Sequence, residues 1–544
     1  MNRRSFLRAR SSAPVLTTLN PYSGPWTYTQ AAHLLRRATY GPTHAEILQA
    51  VEDGLELTLA KLLTPPPAEF DETPLYFNFG ADPNAGNGET WVDFVNSAVG
   101  GIINRREDSL QAWVVGRMLN SPVSLHWKMV LFWHDHFVID DVAVNDPIFQ
   151  WRYLLLLHEF ATGDFREFTK RMTVNPAMLR YLNGDENRVG SPNENYAREL
   201  LELFTVGKGD LAGPGDYTTF TEDDVIELAK ALTGWVTRGY RTLDPDQYIG
   251  ELYRPNRHDT STKTLSHRFD NAVIENNDEN EYQVVIDTIF QSPHVATHLA
   301  RRLYRYFVYY DISATEEATI IEPLAQIIRD NDYQVVPALE ALLSSQEFFD
   351  ILNFGPMIKN PYELTVSSVR TMEYAIPNAY QIRYQAWSGL SEVATGCEMR
   401  IFNAPNVAGW PAYYQQPVYY RTWINAVTLR SRTAFLETAC GGFTIFGQTI
   451  KPDWTGIIAQ FENPTDPNDL IADLVTLFLP QPLVPGQIDY LKDVLLGGLP
   501  DFEWTVEYGM YLETPDDPGL AMAIETKLTN LMRALTGLPE FQLM

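Results

Sequence analysis

Apolar side chains recur at helical spacing along most of the chain. From Thr29 to Thr39 the run TQAAHLLRRAT places them on one face, and Gly41-Pro42 stops it. The same periodicity predicts a helix from about Thr43 and another from about Leu55 that ends before Pro65-Pro66-Pro67. Long helices are expected over 90–119 and 122–136, the second with Ser121 as N-cap and Pro122 at its first position. Helices over 147–162, 164–173, 175–182, 193–206 and 221–233 follow. After an irregular polar stretch at 238–280 they resume at 281–291, 293–309, 316–330, 334–345 and 360–375. Residues 69–88 and 376–420 have the Pro- and Asn-rich composition of loops. A helix over 421–437 and a few more, separated by turns such as Pro480-Gln481-Pro482, complete the chain. No repeat, βαβ rhythm or Gly-rich phosphate loop interrupts this pattern. The expected fold is mainly α, a large multi-helix globular body with long irregular loops and little β. Its expected parts are a tail at 1–27, a helical core at 28–440 and a C-terminal helical extension at 441–544 packed on that core.

Composition adds an aromatic emphasis. Hydrophobic residues make up 45% of the 544 positions, enough for a large core. The 28 Tyr, 27 Phe and 12 Trp fill cores first, and otherwise line glycan or aromatic-ligand clefts. A net charge of −28 argues against nucleic acid, which needs concentrated Lys and Arg, and fits a solvated acidic surface. Cys397 and Cys440 match no CxxC spacing, so buried unreactive thiols are the default expectation. No apolar run reaches the ~18 residues of a membrane helix. Arg3-Arg4-Ser5-Phe6-Leu7 resembles a twin-arginine export motif. The residues behind it are too polar for the apolar stretch of ~7–15 residues that such a signal uses. A remnant, an unusual signal, a chance match and export beside a partner carrying a full signal all stay open.

Five clusters carry candidate chemistry. Trp133-His134-Asp135-His136-Phe137 offers a metal pair in His134 and His136. Two positions along a regular helix lie ~200° apart, so the rings converge on one ion only if the helix ends before His134. In Asn193-Glu194-Asn195-Tyr196-Ala197-Arg198-Glu199, Glu194, Arg198 and Glu202 stand four apart as a charge ladder, with Glu199 on another side. Such ladders are usually solvated, but carboxylates at a core rim can act as acid and base. Asn193 is the expected cap and Gly207 the expected stop. Thr221 with Asp224 resembles a capping box, and Trp235 follows Gly234 where it closes a helix end or lines a cleft. His258, Asp259 and Lys263 share a polar loop, as catalytic groups often do, although a hydrogen-bonded turn explains them equally. Asn406, Trp410 and Trp423 stand in or near a Pro/Gly-shaped segment that either walls a pocket or packs as a buried loop.

These clusters, in this order, resemble the bacterial domain of unknown function 1800 family. The matching segments are His33 to Thr43, the Trp-His-Asp-His-Phe run, Asn175-Pro176-Ala177-Met178-Leu179, the Asn-Glu-Asn-Tyr-Ala-Arg-Glu helix, Ala231 to Trp235, His258-Asp259, and Pro405 to Pro411. The likeness covers about residues 28–440 and continues weakly beyond. Asn175 departs from the expected histidine, which weakens any histidine ligand there. The resemblance implies no settled activity. It implies export to the periplasm or cell surface and pairing with a sulfatase-like partner of the domain of unknown function 1501 family.

Two functions follow. One is an exported enzyme, metal-dependent, acting on a cell-surface or extracellular polymer. There His134 and His136 hold a divalent or transition metal such as zinc, iron or manganese. Glu194, Arg198, Glu199, Glu202, His258 and Asp259 supply its catalytic groups, and Trp235, Lys263, Asn406, Trp410 and Trp423 its substrate contacts. The other is a non-catalytic cell-envelope assembly or binding protein, in which the same clusters hold a helical shell together.

Overall fold

The computed structural model describes residues 18–67, 69–77 and 82–544. The twin-arginine motif at Arg3-Arg4 lies outside the described residues. The helices that position the candidate residues are α1 (Tyr28–Ala38), α2 (His44–Leu63), α3 (Ile102–Leu119), α4 (His126–His136), α5 (Pro147–Glu159), α6 (Pro176–Tyr181), α7 (Asn195–Glu199), α8 (Glu222–Ala231) and α9 (Glu281–Ile289). They continue as α10 (Pro293–Phe307), α11 (Pro361–Thr371), α12 (Tyr380–Gly396), α13 (Ala426–Gly441), α14 (Pro467–Phe478), α15 (Pro485–Leu496), α16 (Phe502–Glu513) and α17 (Pro518–Thr536). The described β structure is four small antiparallel hairpins: β1–β2 (Leu211–Gly213, Asp216–Tyr217), β3–β4 (Trp235–Arg238, Gly250–Tyr253), β5–β6 (Lys263–Thr264, Val273–Ile274) and β7–β8 (Phe443–Ile445, Gln448–Ile450). The protein is mainly α.

Local chemistry sets many boundaries. Thr43, Thr221 and Asn360 start α2, α8 and α11 with reciprocal capping boxes to Glu46, Asp224 and Glu363. Within α2, Gly54 leaves helical geometry at φ +75°, so the span is the expected pair of helices meeting at a kink. Gly207, at φ +74°, donates its N–H to the Leu201 carbonyl just past the α7 region, the stop expected of it.

Four expectations differ from the structure. The helix over 90–119 begins only at Ile102, after Gly100-Gly101; Trp91 instead packs as loop, its Nε1 donating to Ser109 Oγ at 3.0 Å. The helix over 122–136 begins at His126, whose N–H meets Ser124 Oγ at 3.2 Å, so Ser121-Pro122 stands outside it. The expected loop over 376–420 contains α12, a 17-residue helix. Its buried face is Tyr384, Trp387, Leu390, Ser391 and Ala394, a sparse stripe that its Gln, Ser and Gly positions hide. The helix over 193–206 starts at Asn195 and widens into a π-helical segment at Leu200–Phe204.

One continuous apolar core runs from Ala31 to Met544. Its two ends meet: buried Arg37 on α1 donates to the Phe307 carbonyl at 2.8 Å and to the Met544 carbonyl at 3.3 Å. Cys397 and Cys440 are buried free thiols. Among the described residues no helix is long and apolar enough to cross a membrane.

Candidate functional site

All eleven residues of α4 are buried, so every polar side chain on it needs an internal partner. His126 meets His158 at 2.6 Å, and Lys128 pairs with Glu363. The last three polar residues then reach three different segments. The Phe402 N–H points at His134 Nε2 at 2.8 Å, so this nitrogen accepts and Nδ1 carries the proton. Nδ1 donates to Tyr153 Oη at 2.7 Å, and the Tyr153 hydroxyl donates to the Phe137 carbonyl at 2.7 Å. Burial holds the His134 ring down at about 3, hence neutral. Asp135 accepts from the Trp410 N–H at 2.9 Å and from Arg302 on α10 at 2.8 Å. Burial lifts its carboxyl to about 6 against the pull of Arg302. His136 Nε2 donates to the Phe204 carbonyl at 3.0 Å.

This arrangement explains the π-helical segment. The last carbonyls of a helix lack intrahelical donors. Phe204 is served by His136, and Leu203 by His298 Nε2 at 2.9 Å. Burial, and then the Arg302 charge, push both rings below the ordinary histidine range. His134 and His136 therefore face different neighbours, as their helical spacing requires, and His134 has no nitrogen free for an ion.

The wide turn also breaks the expected charge ladder, because it removes the four-residue register beyond Glu199. Arg198 reaches Glu194 at 3.2 Å but forks onto Glu222 of α8 at 3.0 and 2.8 Å. Glu202 pairs instead with Lys208 at 2.9 Å. Glu199 makes no ion pair among the described residues; burial, then the Glu202 charge, raises its carboxyl. Asn193 caps no helix, its side chain accepting from the Asn195 N–H at 3.0 Å.

The polar loop after α8 closes on a residue that pattern reasoning missed. His258 Nδ1 contacts the Thr233 carbonyl at 2.9 Å and Nε2 contacts Glu281 at 3.0 Å. Lys263 meets the other Glu281 oxygen at 2.6 Å, and all three side chains are buried. Burial opposes the imidazolium, but Glu281 and Thr233 outweigh it and raise the His258 pKa. Glu281 is the first residue of α9, where a carboxylate is ordinary helix punctuation, so no sequence signal marked it. Asp259 folds back on its own turn, accepting from the Ser261 N–H at 2.9 Å.

The aromatic candidates pack inward. Trp235 rests against Tyr253 and Tyr282 at 5.6 and 5.5 Å between ring centres. Trp410 lies 5.4 Å from His134 and is buried. Trp423 is buried edge-on to Tyr413 at 6.1 Å. Asn406 is exposed and bonds Tyr414 Oη at 2.7 Å.

A second missed group lies beside the same loop. Gln150 donates to Glu107 at 2.7 Å, and burial lifts the Glu107 carboxyl to about 8. Asp141 nearby holds Arg400 at 3.0 Å and accepts from Asn403 at 2.5 Å. A signal for Glu107 existed: it shares a helix face with Ile103, Leu110 and Val114, all buried. Among the described residues no three His, Cys, Asp or Glu side chains gather so as to hold a metal ion.

A family model described as "Protein of unknown function (DUF1800)" matches residues 33–543. The chain belongs to this family. No curated protein and no solved structure matches it. In this DUF1800 protein the Trp-His-Asp-His-Phe run is thus joined to the Pro405–Pro411 loop through Asp135, to Phe402 just ahead of that loop through His134, and to the π-helical segment after α7 through His136. The matched span extends past residue 440 and takes in the C-terminal helices.

Proposed function

We propose that the protein is a non-catalytic assembly or binding protein of the cell envelope, working beside a sulfatase-like partner of the domain of unknown function 1501 family. One observation carries this reading. His134 Nε2, Asp135 Oδ1 and His136 Nε2 each bond the backbone of a segment distant in sequence, at Phe402, Trp410 and Phe204. Groups locked into a buried frame specify a shape, and a specified shape is what a scaffold offers a partner. The export step rests on Arg3-Arg4 and on the family's habit of pairing. Co-expression with a sulfatase-like partner, followed by affinity capture and cell fractionation, tests it. A stable complex outside the cytoplasm is expected; a protein that stays cytoplasmic and uncomplexed contradicts it.

A second reading, an enzyme acting on an extracellular polymer, is favoured by Glu107. A carboxyl near 8 beside Asp141 and Arg400 has the protonation of a general acid at neutral pH. Polymer cleavage that Glu107→Gln abolishes, with an unchanged melting temperature, would establish it in place of the first.

A further inference from the structure

The C-terminal helix α16 has two faces of unequal fate. On one, Trp504 and Tyr508 stack at 5.1 Å and are buried, with Trp504 Nε1 donating to the Pro464 carbonyl at 2.9 Å. On the other, Phe502, Val506 and Met510 stand four residues apart and are 59%, 54% and 51% exposed. Leu499, just ahead of the helix, is 53% exposed. Single exposed apolar residues are ordinary, but a row at helical spacing makes a continuous ridge.

The surroundings of this ridge have one sign. Residues 499–520 hold Asp501, Glu503, Glu507, Glu513, Asp516 and Asp517 and no Lys, Arg or His. Asp501 pairs with Lys492 and Glu507 with Lys527, both from neighbouring helices. Glu503, Glu513 and Asp516 form no ion pair among the described residues. A second copy seated on the ridge would bring carboxylates against carboxylates. An anionic lipid surface would repel the same carboxylates. The remaining complement is apolar along its centre and basic along its edges.

We propose that α16 is a docking surface for an amphipathic helix with Lys or Arg flanking its apolar stripe. The partner's stripe packs along Phe502, Val506 and Met510, and its cations meet Glu503, Glu513 and Asp516. This deepens the assembly reading by naming a surface for it. The test below omits the sulfatase-like protein, so its failure and the failure of that reading are separate results.

The test uses the full-length protein and a labelled helix-forming Leu/Lys peptide of about 18 residues, roughly five turns, with a Leu/Glu peptide of equal length beside it. Anisotropy should show saturable, salt-weakened binding of the Leu/Lys peptide alone. Val506→Glu should weaken it at least about tenfold, a loss of ~1.4 kcal/mol, although the substitution adds negative charge. Leu48→Glu, at an exposed position on α2, should leave it unchanged. Met510→Glu repeats the test where Val506→Glu lowers the melting temperature. Unchanged or tighter binding by both ridge variants overturns the proposal, because attraction to general acidity would then explain the signal. Equal binding of the Leu/Glu peptide, ridge-dependent dimers in sedimentation, or flotation with phosphatidylcholine vesicles also overturns it.

Discussion

At Gly409 a single hydrogen atom lets the Pro405–Pro411 loop close on α4. The residue has φ +92°, and a Cβ there would lie 2.3 Å from Asp135 Oδ1. Gly409→Ala therefore combines backbone strain with displacement of a buried carboxylate, and the expected loss is roughly 3 kcal/mol. Gly389, inside α12, is the control: a Cβ there meets nothing within 4 Å, so Gly389→Ala should stabilise by roughly 0.5–1 kcal/mol. Urea unfolding of the two variants checks the contrast. Neither effect was legible from composition, since each depends on what lies across from the glycine. His134 and His136 were legible as divergent from helical spacing alone. Which nitrogen each uses was not, because Phe402 and Phe204 lie far away in sequence.

Among the elements, α4 and the π-helical segment after α7 depend on each other. The widened turn presents the Leu203 and Phe204 carbonyls, and His298 and His136 satisfy them. His136→Phe preserves most of the ring's bulk but strands a buried carbonyl, so it should cost about 1–3 kcal/mol. A lower urea midpoint checks this; an unchanged one would mean that the carbonyl finds another donor. Capped elements were the legible ones: Thr43 and Thr221 state their boxes in the sequence. α12 was hidden because its buried stripe is thin. The start of α4 was misplaced because Ser121-Pro122 reads as a cap, whereas the helix begins at His126, whose N–H meets Ser124 Oγ.

Over the whole molecule, buried histidines set the acid limit. Burial pushes His33, His126, His134, His136 and His298 below the ordinary range, to about 3 where the ring is His126, His134 or His298. The unfolded chain takes up protons near pH 6.5 that the folded rings refuse. Their stability is complete above that pH and is lost as pH falls toward 3. Glu107 and Asp135 act oppositely: raised to about 8 and about 6, their contribution is present at low pH and is lost as pH rises. The rings of the unfolded chain titrate within this window, so stability should fall between pH 7 and 5.5. Denaturation series at the two pH values check it; greater stability at pH 5.5 would contradict the burial of these rings. The helical class was legible from periodicity, whereas the joining of α1 to Met544 through Arg37 was not.

The Trp-His-Asp-His-Phe run ties distant segments of the fold together, and His134, with both ring nitrogens engaged, has none left for an ion. Metal content by plasma mass spectrometry, on wild-type protein and His134→Ala purified without chelators, tests it most directly. The expected result is no stoichiometric zinc, iron or manganese in either protein. One metal per chain in the wild type, lost in His134→Ala, would contradict it.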